Sequence, residues 1–165
     1  MKAAVLVTDA NTVADDWQPL RLMVENCCES YVVLCPEAVT NPAGWPVLEL
    51  ERTDSVSALK AALSWSQDEP VLLVASDITT PSAELARYLE YVRAGYDAVV
   101  PLLDVDTPQP LFGLYAPTCM GEINAQLLSG EFDIAALLRR LTVRFVDVEE
   151  VAKFGDPAQL LSQDG

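Results

Sequence analysis

The clearest indication of the fold is the stretch Pro70-Val71-Leu72-Leu73-Val74-Ala75-Ser76-Asp77. Five consecutive apolar residues between a proline and a polar pair are typical of a short strand that is covered on both faces, as in the centre of a parallel sheet. Asp77 then falls at the carboxyl end of that strand. Ligands of open α/β sheets bind beyond the carboxyl ends of the strands, so Asp77 is the first candidate for a functional residue.

Strand-like and helix-like segments alternate on both sides of this stretch. Apolar, β-branched runs predict strands at residues 3–7, 31–35, 47–50, 98–102, 109–115 and 143–148. Helical spacing and capping residues predict helices at 17–24, 56–65, 80–95, 118–128 and 134–141, with a short one from Asp156 to the end. This alternation predicts one α/β domain over residues 1–165, with three layers: a mostly parallel sheet and helices on both faces.

Composition narrows the classes of partner. The 165 residues are 51% hydrophobic, which is ample for one core, and carry a net charge of −15, which disfavours nucleic acid or an anionic membrane surface as partner. The apolar runs are far shorter than the roughly 20 residues of a membrane span. The N-terminus resembles a strand more than a signal peptide, because it has no small-residue cleavage site, so we expect a cytoplasmic protein.

The absence of histidine excludes a Ser-His-Asp triad, an imidazole base and a histidine zinc site. Four cysteines are present, at 27, 28, 35 and 119, and none forms a CxxC pair. Two acidic strand ends remain as candidates. Asp77 either holds Mg²⁺ or caps the next helix, whereas Asp9, after the first strand, fits an Asx turn better.

Several segments resemble molybdenum cofactor guanylyltransferases, the MobA-like nucleotidyltransferases. The strand that ends at Asp77 is similar to the family's strand before its Cys-Asp-Met-Pro-like turn. Gln109-Pro110-Leu111-Phe112-Gly113-Leu114-Tyr115 resembles its Gln-Pro-Leu strand. The segments 127–131, 134–138 and 154–160 follow in the family's order. The resemblance covers the chain from about Asp54 onward.

The resemblance implies a Rossmann-like nucleotidyltransferase that joins GMP from GTP to molybdopterin with Mg²⁺. It assigns Asp77 as the metal ligand and places Gln109, Tyr115 and Asp156 near the substrate. Purely structural roles stay open for two of these residues: Gln109 as a satisfied strand-end amide and Tyr115 as a core aromatic with its hydroxyl at the edge.

The opening loop departs from the family pattern. The family has a glycine-rich stretch with Arg and Lys at the nucleotide-binding position. This chain has Thr8-Asp9-Ala10 there, followed by Asp15 and Asp16, with no glycine or cation between Thr8 and Arg21. Side chains restrict the positive φ values of an anion-binding loop, and carboxylates repel a triphosphate. We therefore expect GTP to bind weakly.

The chain departs from the family pattern in two further places. Residues 55–59 replace the family's Gly-Pro-Leu-Ala-Gly stretch, and Lys153 and Gly155 replace its two closing asparagines.

Three hypotheses follow. The first, which we favour, is a non-catalytic relative that binds molybdopterin or a partner protein, such as a molybdoenzyme or another protein of cofactor biosynthesis. The second is an active Mg²⁺-dependent guanylyltransferase. The third is a structural or oligomerisation protein unrelated to molybdenum.

Overall fold

The computed structural model describes residues 1–7, 17–36 and 44–162. Its strands are β1 (Lys2–Leu6), β2 (Ser30–Cys35), β3 (Val47–Glu49), β4 (Val71–Ala75), β5 (Ala98–Pro101), β6 (Phe112–Tyr115) and β7 (Val143–Val146). Its α-helices are α1 (Gln18–Cys27), α2 (Ser55–Ser66), α3 (Ala83–Tyr91), α4 (Met120–Leu128), α5 (Ile134–Arg140) and α6 (Val148–Ala152). Two 3₁₀ helices span Pro117–Cys119 and Pro157–Leu160.

The described strands form one sheet in the order β3-β2-β1-β4-β6-β5-β7. All neighbours pair in parallel except β6, which runs antiparallel between β4 and β5. Helices α1 and α3 pack together, as do α2, α4 and α5. The crossovers β1–β2 and β3–β4 move in opposite directions along the sheet, so right-handed connections place α1 and α2 on opposite faces. The three-layer α/β prediction is confirmed.

Strand β4 lies in the middle of the sheet, between β1 and β6. All five of its residues are fully buried. A strand with helices on both faces cannot alternate apolar and polar side chains, which explains its uniform composition. Its carboxyl end therefore opens onto the edge of the sheet where the other parallel strands also end.

Caps set the helix boundaries, and several predicted boundaries were wrong. The side chain of Asp54 accepts from the backbone N–H of Ser57 and begins α2, as predicted. Helix α3 is capped by Ser82 and not by Thr80. Strand β7 ends at Val146, because Asp147 and Glu150 form a capping box that starts α6, a helix missed by the sequence prediction.

The predicted strand 109–115 is shorter in the structure. Gln109 lies in a turn and the strand begins at Phe112. Within β6, Gly113 makes room for the ring of Tyr115: a Cβ at this position would lie 2.9 Å from Cε2 of Tyr115. No helix in the described ranges is long and apolar enough to span a bilayer.

Candidate functional site

Asp77 is half-buried at the carboxyl end of β4, between two buried neighbours, Ser76 and Ile78. The N–H of Ser76 donates to the carbonyl of Leu6 on β1, which fixes the backbone where the strand ends. The hydroxyl of Ser162 donates to Oδ2 of Asp77 over 3.0 Å. The first predicted site residue therefore lies at the expected edge and contacts the far end of the chain.

Gln109 is buried in the turn that leads into β6, with 3% of its surface exposed. Its Oε1 accepts from the N–H of Leu111 at 3.1 Å, and its Nε2 donates to the carbonyl of Leu160. Both ends of the amide are used within the protein. Gln109 thus fixes the shape of the turn and holds the C-terminal segment against it.

Residues 160–162 form a short segment that we name the C-terminal strap. Leu160 receives the hydrogen bond of Gln109, and Ser162 donates one to Asp77. The strap begins with the last residue of the 3₁₀ helix Pro157–Leu160, and this helix is capped by the exposed Asp156, which accepts from the N–H of Ala158 at 2.9 Å. Asp77 and Gln109 are therefore linked through the strap, whereas Asp156 only caps the 3₁₀ helix before it.

Tyr115 is held apart from them. Its side chain is fully buried, and its hydroxyl donates to the carbonyl of Pro110 at 2.7 Å. Burial raises the pKa of this phenol far above its usual value, so it stays a neutral donor. A role for Tyr115 toward a ligand stays a prediction. Thr8, Asp9 and Ala10 lie outside the described residues.

A cavity of about 530 Å³ opens at this edge of the sheet, between the start of α2, the turn before β6, the start of α5 and the strap. That volume is in the range of small-molecule sites, about 300–1,000 Å³. Its polar lining residues are Asp54, Ser55, Thr107, Gln109, Asp133 and Ser162. The apolar side chains include Leu103, Leu111, Phe132, Ile134, Leu138 and Leu161. A second hollow, about 410 Å³, shares Leu103, Thr107 and Leu161 with it.

The charges around the cavity are mainly negative. Asp54 and Asp133 line it while capping α2 and α5. Arg52 lies at its rim, where its guanidinium stacks 3.7 Å from the centre of the Phe132 ring and its Nε is 3.1 Å from Oδ2 of Asp54. The cation of the rim is therefore already paired with a carboxylate.

Sequence reasoning did not identify Arg52, Phe132, Asp133 or Ser162 as site residues. They come from three separate parts of the chain, around residues 52, 132–133 and 162, and none of these parts carries a recognisable motif. Ser162 follows the Phe154–Leu160 segment of the family resemblance, which is the one signal that could have drawn attention to it. The rest could be found only from the fold.

The oxygen atoms around Asp77 can be compared with the ligands that Mg²⁺ requires. Proteins bind Mg²⁺ through one or two carboxylates, and substrate phosphates and water complete its six oxygen ligands. Asp77 supplies one carboxylate beside the Ser162 hydroxyl. In residues 1–7, 17–36 and 44–162 no group of three or more His, Cys, Asp or Glu side chains is arranged to hold a metal. Asp77 therefore fits Mg²⁺ only together with a phosphate-bearing ligand.

A family model described as MobA-like NTP transferase domain matches residues 16–145, well over half of the chain. The chain belongs to the MobA-like NTP transferase family. A protein of Pelotomaculum thermopropionicum named "Probable molybdenum cofactor guanylyltransferase" is 30% identical over 101 residues, 61% of this chain and 49% of that protein. The chain thus aligns with about half the length of this curated relative.

Solved structures support the fold of this MobA-like domain. A protein of Aquifex aeolicus superposes with a TM-score of 0.79 at 16% identity, over 99% of this chain and 93% of the other. Molybdopterin-guanine dinucleotide biosynthesis protein A of Archaeoglobus fulgidus gives 0.74 at 22% identity, over 98% and 90%. The 2-C-methyl-D-erythritol 4-phosphate cytidylyltransferase of Thermus thermophilus gives 0.64 at 15%, over 89% and 88%. At these identities the likeness concerns the fold alone.

Proposed function

We propose that this MobA-like protein serves molybdenum cofactor biosynthesis by binding molybdopterin at the carboxyl edge of its sheet, without transferring a nucleotide. The observation that carries the proposal is the state of Asp77, whose carboxylate accepts a hydrogen bond from the C-terminal strap beside a cavity lined by further carboxylates. A bound molybdopterin would then pass to a molybdoenzyme or to another protein of the same biosynthesis.

The cavity lining suits the ring end of molybdopterin. A pterin is flat, with two apolar faces and an edge of N–H donors. Leu111, Leu138 and Phe132 offer apolar surface for the faces, and the carboxylates of Asp54 and Asp133 can accept from the edge. Arg52 at the rim is the group available for the ligand's phosphate, if it exchanges its contact with Asp54.

The same lining is poorly suited to a triphosphate. Phosphoryl transfer depends on cations and backbone donors that neutralise the phosphates and position them. No Lys or Arg is among the described residues that line the cavity, and Arg52, which contacts the lining at Phe132, is paired with Asp54. The nucleotide-loop positions Thr8, Asp9 and Ala10 add a negative charge and no cation. We therefore infer weak or absent GTP binding.

An active guanylyltransferase is the second candidate. The position of Asp77 favours it, since a carboxylate at the end of the central strand is where Mg²⁺ would be held. On that account Asp77 would ligate the metal after Ser162 releases it, and the metal would neutralise charge on the phosphates. Lys or Arg residues of another chain would then supply the cations missing here.

Calorimetric titration separates the candidates. Molybdopterin under anaerobic conditions, and GTP with Mg²⁺, are each titrated into the wild-type protein, Asp77→Ala and Ala135→Trp. Ala135 is an exposed residue of the cavity wall, so a tryptophan there obstructs the site at little cost in stability. Ala125→Trp, at an exposed position on α4, is the matched control.

The proposal predicts that molybdopterin binds to the wild type and to Ala125→Trp, that Ala135→Trp loses this binding, and that GTP gives no saturable heat. Micromolar GTP binding that disappears in Asp77→Ala would favour the active enzyme. If neither ligand binds, the site has no molybdenum role and the structural hypothesis takes its place.

A further inference from the structure

Three sulfur-containing side chains lie at the carboxyl end of α1, where the sulfur of one contacts the sulfurs of the other two. Met23 and Cys27 stand one helical turn apart on α1, so their side chains lie on the same face. The helix ends at Cys27, and Cys28 follows as its cap. We name these three side chains the sulfur cluster.

The cap geometry brings the third sulfur in. Cys28 adopts an extended backbone, with φ −121° and ψ 138°, while its N–H still donates to the carbonyl of Val24. Its Sγ then lies 3.5 Å from Sγ of Cys27, and Sγ of Cys27 lies 3.6 Å from Sδ of Met23. Metal–sulfur bonds of about 2.3 Å put the sulfurs of a trigonal site about 4 Å apart. Sγ of Cys27 already lies within that distance of both other sulfurs, and a shared ion requires side-chain rotations that bring Sδ of Met23 and Sγ of Cys28 to a similar separation.

We propose that Met23, Cys27 and Cys28 form a binding site for a soft, thiophilic metal ion, Cu(I), held by two thiolates and one thioether. This site is separate from the cavity at the carboxyl edge and does not depend on the function proposed for it.

The donor set selects the class of metal. Thioether and thiolate sulfur favour Cu(I), while Mg²⁺ and Ca²⁺ take oxygen. A structural zinc site needs four ligands in a tetrahedron, and in the described part of the chain no third cysteine, histidine or carboxylate completes such a set here. Three sulfurs match the low coordination number of Cu(I).

The electrostatic surroundings allow a thiolate and a cation together. The positive charge of Arg87 lies close enough to Cys27 to favour a thiolate there. Arg87 is anchored nearby by hydrogen bonds to Asn26. The carboxyl end of α1 carries partial negative charge, which favours a bound cation. Each coordinating thiol releases its proton to solvent.

The cluster can be reached from solvent. Cys27 is half-buried, while Met23 and Cys28 are buried, with 3% and 8% of their surface exposed. An ion would bind first to the Cys27 thiolate and then reach the two inner sulfurs. Cys35 and Cys119 are completely buried elsewhere in the fold, so they serve as internal controls.

The test uses the reduced full chain and the metal alone. Cu(I) is presented as the coloured complex of a chelator under anaerobic conditions, and the colour lost measures the Cu(I) taken up. We expect one equivalent bound by the wild type, by Cys35→Ser and by Cys119→Ser. Cys27→Ser and Cys28→Ser each remove a ligand, so their affinity for Cu(I) should fall by more than the roughly 10- to 100-fold that loss of a supporting contact costs.

Met23→Leu is the sharper variant, because it keeps the volume and apolar character of the buried side chain while removing the sulfur. We expect about tenfold weaker binding with the far-UV circular dichroism unchanged, and X-ray absorption of the wild-type complex showing three sulfur ligands. The proposal fails if wild type takes up no Cu(I), if Cys27→Ser binds as tightly as wild type, if Cys119→Ser loses binding equally, or if nitrogen or oxygen ligands dominate the spectrum.

Discussion

The hydroxyl of Ser162 donates a hydrogen bond to the carboxylate of Asp77 over 3.0 Å, although the two residues lie 85 positions apart in the chain. This contact places the C-terminal strap over the end of the central strand. Gln109 secures the same strap through the carbonyl of Leu160. The position of the strap determines how much of the Asp77 carboxylate is open to a ligand.

Ser162→Ala removes the strap's bond to Asp77. A hydrogen bond to a charged, partly buried acceptor contributes on the order of 1–2 kcal/mol, so we expect the free energy of unfolding to fall by about that amount. For a chain of this size the melting temperature should drop by roughly 2–8 °C. Ser64→Ala, at an exposed position on α2, should leave it nearly unchanged. Equal melting temperatures for wild type and Ser162→Ala would show that the contact has no energetic weight.

Gly113 is needed for the position of Tyr115. A Cβ at residue 113 would lie 2.9 Å from Cε2 and 3.0 Å from the hydroxyl oxygen of Tyr115, so Gly113→Ala should destabilise the core by about 1–3 kcal/mol. Gly121, on α4, has nothing within 4 Å of such a Cβ, and Gly121→Ala should stabilise by up to about 1 kcal/mol. Urea unfolding of both variants measures the difference, and a destabilisation of the same size at both positions would contradict the packing described here.

Glu150 joins three elements and gives a pH-dependent prediction. Arg144 makes two hydrogen bonds to its carboxylate, at 2.7 and 3.0 Å, and Tyr88 donates a third at 2.7 Å. The Arg144 contacts, opposed by burial and helped by Tyr88, lower the pKa of Glu150 from 4.5 to about 2. A carboxyl group whose pKa is depressed by folding stabilises the protein above its unfolded pKa and loses that effect as the pH falls.

Glu150→Gln should therefore cost about 2 kcal/mol at pH 7. The difference from wild type should stay constant above about pH 5 and shrink as the pH falls from about 4.5 toward 2. Denaturant unfolding at several pH values measures it. Glu149→Gln, an exposed neighbour on α6, is the control and should show little difference throughout. If the difference in unfolding free energy between wild type and Glu150→Gln did not change between pH 6 and pH 3, the stabilising role given to the Glu150 carboxylate would be wrong.

The residue pattern predicted the sheet and its acidic edge because they depend on local signals. The five apolar residues of β4 indicate a strand that is buried on both faces. Asp54 caps α2 by accepting from the N–H of Ser57, so the cap lies within four consecutive residues. Strand β6 is inserted antiparallel after the turn at Gln109, and this turn is held by a hydrogen bond to Leu160. The bond joins residues 51 positions apart, so no short sequence pattern contains it. Helix α6 was missed although Asp147 and Glu150 carry a capping-box spacing, because the apolar run before them was extended to Val148.

The candidate site was only partly predictable for the same reason. Asp77 and Gln109 follow from strand ends and from the family resemblance, but the cavity walls at Arg52, Phe132 and Ser162 meet only in the folded chain. The strand end alone suggests a single carboxylate at Asp77, whereas the folded chain adds the carboxylates of Asp54 and Asp133 to the cavity lining and pairs Arg52 with Asp54.

Nucleotide transfer itself is the most direct test of the proposed function. The purified protein is incubated anaerobically with molybdopterin, GTP labelled in its α-phosphate and Mg²⁺, alongside Asp77→Ala, and the products are separated from protein by chromatography. We expect molybdopterin to co-elute with the protein without any label joined to it, and no more pyrophosphate to form than with Asp77→Ala. Labelled product and pyrophosphate that form with the wild type and vanish in Asp77→Ala would overturn the proposed function and identify an active guanylyltransferase.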